Sequence, residues 1–254
     1  MIRIERMYIA PVKSLALVEV RRARLDKPGI AGDRAFFLVD SESKLFTQRD
    51  CPVLVQVRPG YAVATGELTL SFPDGSSLRG VPEPDGPAEA SFWEGRPVAG
   101  RTVRGDWDEA LSELAGRPVR LVKADTAGSS FDGYPLSMCS MASIEALARA
   151  AGRSEVDGRR FRQNIYLAGT AQAHEEDTWI GGEVRVGAAL VRVKVADSRC
   201  VVTTRSPESG ETDLDTLKLI ASYRTDQPKE VNFGVYCTVA EPGEAGVGDE
   251  VRPA

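Results

Sequence analysis

Histidine is almost missing from this chain of 254 residues: His174, inside AHEED, is the only one. One imidazole cannot build a His-based zinc site, and a Ser-His-Asp triad would need that same ring, with no G-x-S-x-G elbow beside it. Its acidic neighbours make His174 read as a surface residue. Cysteines are few and scattered: Cys51, Cys139, Cys200 and Cys237 form no CxxC pair. That spacing excludes an iron–sulfur ligand set and argues against disulfides, so the default for each is a small buried hydrophobe. A P-loop is absent, and the glycines of PGEAGVGDE precede a final strand, not a helix, so they fail the context test for a nucleotide site. There is no apolar run of about 18 residues. The leading MIRIERMYIAPVKS lacks the apolar core and small-residue cleavage site of a signal peptide. No membrane partner and a cytoplasmic location are expected. Excess positive charge is lacking too: the net charge of −5 argues against nucleic acid or an anionic membrane surface as a general partner.

What is present is an ordinary globular composition, 42% hydrophobic and 27% charged, long enough for one large or two modest domains. The first part reads as short strands: Ile2–Ala10, Val18–Leu25, Arg34–Asp40, Leu54–Arg58 and Glu67–Phe72. Leu68, Leu70 and Phe72 share one face of the pleat. Pro73–Ala90, rich in Gly, Pro and acid, reads as an exposed loop. Three helices stand out. Asp106 and Glu109 suggest a D-x-x-E capping box before a helix that ends at Gly116. A second runs from Ser140 or Ser143 to Ala151, and a third from about Asp213 to Tyr223. Further strands are expected at Gln163–Ala168, Glu183–Gly187, Leu190–Val195, Arg199–Thr204, Phe233–Ala240 and Val247–Val251. The loop KADTAGSSFDGYP divides the chain into 1–122 and 123–254. Many short strands at regular spacing with few helices make the fold class mostly β with some α+β elements, a barrel or a sandwich.

The chemistry concentrates in short segments at strand ends. PVKS carries Lys13 and Ser14, GDR carries Arg34, and FRQN carries Arg162 and Asn164. ADSRCVVTT carries Ser198, Arg199 and Cys200, with TLKLIASYR and FGVY following, the latter ending in Tyr236. IxPVKS, GDRxFxLVD, FRxNI, SRCxxTT, TLKxxxSYR, FGxY and PGxxxVGDEV, in this order and over nearly the whole chain, resemble the MOSC superfamily with its N-terminal β-barrel domain. The likeness is to its amidoxime-reducing branch, mitochondrial and bacterial. Each motif is weak alone; seven in order are specific.

The resemblance implies an N-terminal β-barrel-like domain and a C-terminal MOSC β-barrel domain with a few helices, a molybdenum–molybdopterin cofactor (Moco) held between these two parts, and reduction of small N-hydroxylated compounds. Cys200 would be catalytic and the metal ligand, its thiolate favoured by Arg199 and by the metal. Lys13, Ser14, Arg34, Arg162 and Asn164 would surround the terminal phosphate and pterin. Charge-assisted and bidentate bonds suit that task. Ser140 and Ser143 would add a helix N-terminus as an anion site. Asp197, Ser198 and Tyr236 would complete the shell near the metal. With no cysteines spaced for an iron–sulfur cluster, electrons are expected from a separate redox protein. One departure is Tyr134, ahead of Pro135, where relatives often carry a small hydroxyl residue; the pocket is expected to be narrower or differently lined. Two alternatives stay open. One is a sulfur or cofactor carrier using a Cys200 persulfide; the other is a cofactor-binding protein without catalysis.

Overall fold

The computed structural model describes residues 1–92, 95–225 and 230–254. Seven strands close into a barrel. In spatial order they are Ile165–Ala168, Leu136–Ser140, Asn232–Glu241, Ala189–Ser198, Glu183–Val186, Glu250–Pro253 and Ile2–Ile9, which returns to Ile165–Ala168. Neighbours run antiparallel except Leu136–Ser140 with Ile165–Ala168, which is parallel. Closure leaves no sheet edge exposed. The alternation that builds it is visible in Glu183–Val186, where Val184 and Val186 are buried and Glu183 and Arg185 are half-buried. Ile4, Met7, Met138, Leu167, Val191, Val193 and Val235 fill the interior, as expected of a small barrel with room only for side chains.

The second body comprises a five-stranded sheet, ordered Glu83–Ser91, Pro97–Arg104, Val119–Ala124, Phe36–Asp40 and Leu45–Phe46, and a three-stranded one from Arg58–Ala62, Glu67–Ser71 and Ser77–Gly80. Helix α1, Trp107–Ala115, inserts Trp107 and Leu111 among Phe36, Leu38, Leu54, Leu68 and Leu121. The two bodies exchange elements. Ile2–Ile9 belongs to the barrel, and Arg22–Asp26 pairs with Gly243–Gly246. A division at 122/123 leaves this exchange out.

Several sequence expectations are corrected. Leu54–Arg58 is not a strand: Pro52–Gln56 is a 3₁₀ helix with proline in its first turn, burying adjacent Leu54 and Val55. Proline lacks the N–H a strand would need and presets the helical φ. The loop expected over Pro73–Ala90 contains Ser77–Gly80 and all but the last residue of Glu83–Ser91. Its prolines are tolerated because Glu83–Ser91 is an edge strand whose register slips between Pro84 and Pro87. The strand Pro97–Arg104 had no counterpart in the sequence reading. Val18–Leu25 breaks into Val18–Glu19 and Arg22–Asp26. Val247–Val251 holds a turn before Glu250–Pro253, in which Asp249 Oδ2 accepts from Gly246 N at 2.8 Å. The capping box does not form: Asp106 makes no side-chain cap, and Asp108 Oδ1 instead accepts from Leu121 N at 2.8 Å. Gly116 ends α1 at φ 65° as expected. Helix α2, Met141–Ala150, is capped by Ser140, and α3 spans Thr216–Tyr223 behind Asp215.

Candidate functional site

Between the two bodies lies a cavity of about 330 Å³, with Cys200 on its wall together with Lys13, Ser14, Arg34, Arg162, Ser198, Arg199 and Tyr236. With Asp197, which lines it too, nine of the sequence-nominated residues meet at one place.

Local backbone explains how. Lys13 N donates to Phe36 O at 2.8 Å, fastening PVKS beside GDR. Lys13 is buried; its Nζ pairs with Asp132 Oδ1 at 2.8 Å and lies 5.4 Å from the Phe92 ring centre. Burial lowers the Lys13 pKa, and Asp132 works against that. Lys13 and its cationic neighbours in turn hold the Asp132 carboxyl far below its usual range, outweighing the desolvation that would raise it. Asp33 Oδ1 accepts from Ala10 N at 2.7 Å and its Oδ2 accepts from Arg34 Nη1. Burial opposes the Arg34 charge, but Asp33 and Asp132 prevail and its pKa is raised. Arg162 donates to Leu15 O at 2.8 Å; burial, then repulsion from Arg34, brings its pKa down to about 10. It stays charged at neutral pH. Among the described residues five non-glycines have positive φ, and three of them, Ser14 (75°), Arg34 (49°) and Arg162 (55°), line this cavity. Backbone strain of about 1 kcal/mol or more per residue is concentrated where the cations converge.

The strand expected over Arg199–Thr204 does not exist. Ala189–Ser198 ends just before it, and Val201–Thr204 forms a 3₁₀ turn. Its hydroxyls satisfy nearby carbonyls: Thr203 Oγ1 donates to Cys200 O at 3.0 Å and Thr204 Oγ1 to Val201 O at 2.8 Å. These bonds overcome the β-preference of VVTT and leave Cys200 at the mouth of the turn. Its thiol is half-buried, and Sγ accepts from Arg49 Nη2 at 3.1 Å. Arg199 donates to Asp197 Oδ2 and to Phe161 O, and its charge also interacts with Cys200. Burial opposes its charge and Asp197 upholds it, so its pKa is raised. Burial raises the Asp197 carboxyl and also the Tyr236 hydroxyl. The Cys139 and Cys237 thiols are fully buried, and desolvation raises both.

Three nominated residues do not line the cavity. Asn164 spends its amide internally: Oδ1 accepts from Ser137 N and Nδ2 donates to Tyr8 O and Asp33 Oδ2, at 3.2, 3.2 and 3.0 Å. It positions Asp33, and through it Arg34. Ser140 and Ser143 lie away from the cavity wall. The N-terminus of α2 already holds a carboxyl group, that of the buried Glu176, whose Oε1 accepts from Ser140 N and Ser143 Oγ, both at 3.0 Å. Tyr134 contacts Tyr236, ring centres 5.7 Å apart, and is not part of the wall. His174 is half-buried, not a surface residue: its ring packs against Tyr223 and Phe233 and bonds Arg224 and the Tyr223 hydroxyl. Sequence reasoning missed Arg49 and Asp132, which sit in turns with no periodicity or motif to mark them.

Lys13, Arg34, Arg49, Arg162 and Arg199 face the cavity against two carboxylates, Asp132 and Asp197. That excess calls for an anionic ligand, and guanidinium groups match a phosphate. Arg199 Nε, Asp197 Oδ1 and Gln163 Oε1 are buried without a partner in the protein, so polar capacity remains near the site. No cluster of three or more His, Cys, Asp or Glu among the described residues could hold a bare metal ion. A metal here would have to arrive with ligands of its own, adding Cys200 as the one protein sulfur. The residues fit a phosphate-bearing, metal-carrying group.

Comparison with known proteins agrees with this arrangement. The MOSC domain profile matches residues 125–252, and that of the MOSC N-terminal beta barrel domain matches residues 1–107. Mitochondrial amidoxime reducing component 2 of Homo sapiens is 28% identical over 98% of this chain and 82% of its own length. Mitochondrial amidoxime-reducing component 1 of Mus musculus is 26% identical over 98% and 81%. Molybdenum cofactor sulfurase of Homo sapiens is 23% identical over 97% of this chain but only 32% of its own length. Barrel, preceding domain and ordered motifs thus coincide, and the chain belongs to the MOSC family.

Proposed function

We propose that the cavity binds the molybdenum–molybdopterin cofactor and that the protein is an oxidoreductase reducing small N-hydroxylated compounds with electrons from a separate redox protein. The supporting observation is that Cys200 Sγ and the cations Lys13, Arg34 and Arg162 open onto one cavity. Lys13, Arg34 and Arg162 would hold the phosphate, Ser14 and Tyr236 would flank the pterin, and Cys200 would anchor the metal. When bound, the cofactor supplies the two-electron chemistry; cleaving an N–O bond consumes two electrons and two protons and releases water. The chain contributes binding, orientation and charge balance. The relatives named as amidoxime reducing components support the substrate class. A cytoplasmic setting belongs to the proposal, because Cys200 must stay a free thiol. No helix among the described residues is long and apolar enough to cross a membrane.

Molybdenum is measured in natively expressed protein beside a Cys200→Ala variant, with benzamidoxime turnover followed after adding candidate donor proteins. Stoichiometric metal and turnover in the parent, with turnover lost and fold kept in the variant, is the expected result. Turnover on NADH with no added protein would defeat the separate-donor part. A second reading, a carrier holding sulfur as a Cys200 persulfide, draws support from the likeness to molybdenum cofactor sulfurase. A persulfide on Cys200 in metal-free protein would favour it.

A further inference from the structure

The contact that stands apart from the phosphate-facing cations is Arg49 on Cys200. It comes from the other body of the protein, and its turn is rigid. Asp50 Oδ2 accepts from Thr47 N and Thr47 Oγ1 at 2.9 and 3.0 Å, and Thr47 Oγ1 accepts from Arg49 N at 3.1 Å. The turn is also clamped from across the cavity mouth. Arg205, which follows the Cys200 turn, donates to Gln48 O, and to Arg49 O at 3.4 Å. Two arginines thus reach across the boundary in opposite directions, one to a sulfur and one to the backbone that carries its counterpart. The Arg49 guanidinium is a permanent cation, as for any arginine. Its exposed position differs from buried Lys13. It lines the cavity beside the sulfur while reaching solvent.

We infer that Arg49 is a specificity-determining residue, selecting substrates that carry a carboxylate or other anionic group within one guanidinium's reach of the reacting N–O group. The inference rests on the oxidoreductase reading for its substrate class, and on the 3.1 Å contact alone for the anion preference. A planar fork of donors pairs with a carboxylate in two parallel bonds, which an ammonium or amide cannot imitate. At an exposed mouth such a pair is worth a factor of up to about five in binding. Substrates of this class are N-hydroxylated amino acids and amidoximes bearing a carboxylate; cationic analogues are disfavoured.

The test has two arms. In cofactor-free full-length protein, the rates of Cys200 alkylation by iodoacetate and iodoacetamide are compared on the Cys200 peptide by mass spectrometry. Both reagents consume the same thiolate, so their ratio reports anion recruitment and not thiol acidity. The iodoacetate-to-iodoacetamide ratio is expected to fall roughly threefold or more in Arg49→Gln, with Arg49→Lys in between. In loaded protein, kcat/KM for 4-carboxybenzamidoxime relative to benzamidoxime is expected to fall by a similar factor in the same variant. Equal alkylation ratios in parent and Arg49→Gln would overturn the inference. Failure of the parent to reduce any amidoxime would instead overturn the oxidoreductase reading and leave the alkylation ratio to decide on Arg49.

Discussion

Arg162→Met should change stability in opposite directions with and without an anion in the cavity. In the free protein the guanidinium is a liability: burial and the neighbouring Arg34 bring its pKa from 12.5 down to about 10. A displacement of that size corresponds to about 3 kcal/mol against the charged form, taken as an upper figure. Since the folded value lies below the unfolded one, the penalty is fully present at neutral pH and is relieved only as pH rises from about 10 towards 12.5. Removing the charge recovers this penalty but loses the bond to Leu15 O at 2.8 Å, worth about 1 kcal/mol. The net gain is about 1–2 kcal/mol, or roughly 2–8 °C in Tm for a chain this size. The left-handed φ of 55° at residue 162 burdens both side chains alike and cancels. Thermal denaturation of cofactor-free parent and variant at pH 7, in low salt and then with millimolar phosphate, reads both signs. The variant should melt higher in low salt, and phosphate should stabilise the parent more. If the variant melts lower in low salt, or phosphate raises both equally, Arg162 is not a charge held in wait for an anion.

Three further outcomes follow from the structure. Iodoacetamide should modify Cys200 in the folded protein within the time that leaves Cys139 and Cys237 untouched, because those thiols are fully buried; peptide mapping before and after denaturation checks the order. Gly234→Ala should cost more than about 2 kcal/mol, since at φ 79° an added Cβ would lie 2.6 Å from Met138 O and 2.9 Å from Cys139 Cβ; a urea midpoint equal to the parent's would refute the close approach. Glu176 is buried and desolvation raises its pKa. Its contribution is therefore favourable below the unfolded value of about 4.5 and is lost as pH rises through the folded one. Glu176→Gln should flatten that loss in a Tm series from pH 4.5 to 7.5; an unchanged slope would remove Glu176 as its source.

The lining of the site was legible because its residues sit in short motifs of charged and small residues at strand ends, where local sequence and function coincide. Lys13, Arg34, Arg162, Ser198 and Cys200 all reach the cavity. What escaped was set by distant partners. Ser140 and Ser143 cap a helix as their sequence suggests, but only the fold brings Glu176 onto that end. Arg49 has an unremarkable neighbourhood, and nothing local says that its turn meets a sulfur 151 positions later. In the fold, the misread segments are those where a tertiary or side-chain bond overrode propensity. VVTT turned into a 3₁₀ turn through its own hydroxyls, and the proline-rich Glu83–Ser91 survives as a strand because one of its sides has no neighbour to satisfy.

Because Ile2–Ile9 closes the barrel between Ile165–Ala168 and Glu250–Pro253, this strand must wait for segments far along the chain before its pairing is complete. Such long sequence separation slows folding, and a fragment starting after residue 122 would present two raw strand edges in place of one missing stave. The ligand cavity, walled by both bodies, takes shape only after that stave is seated. Anything that binds there is taken up after this long-range pairing, not before it.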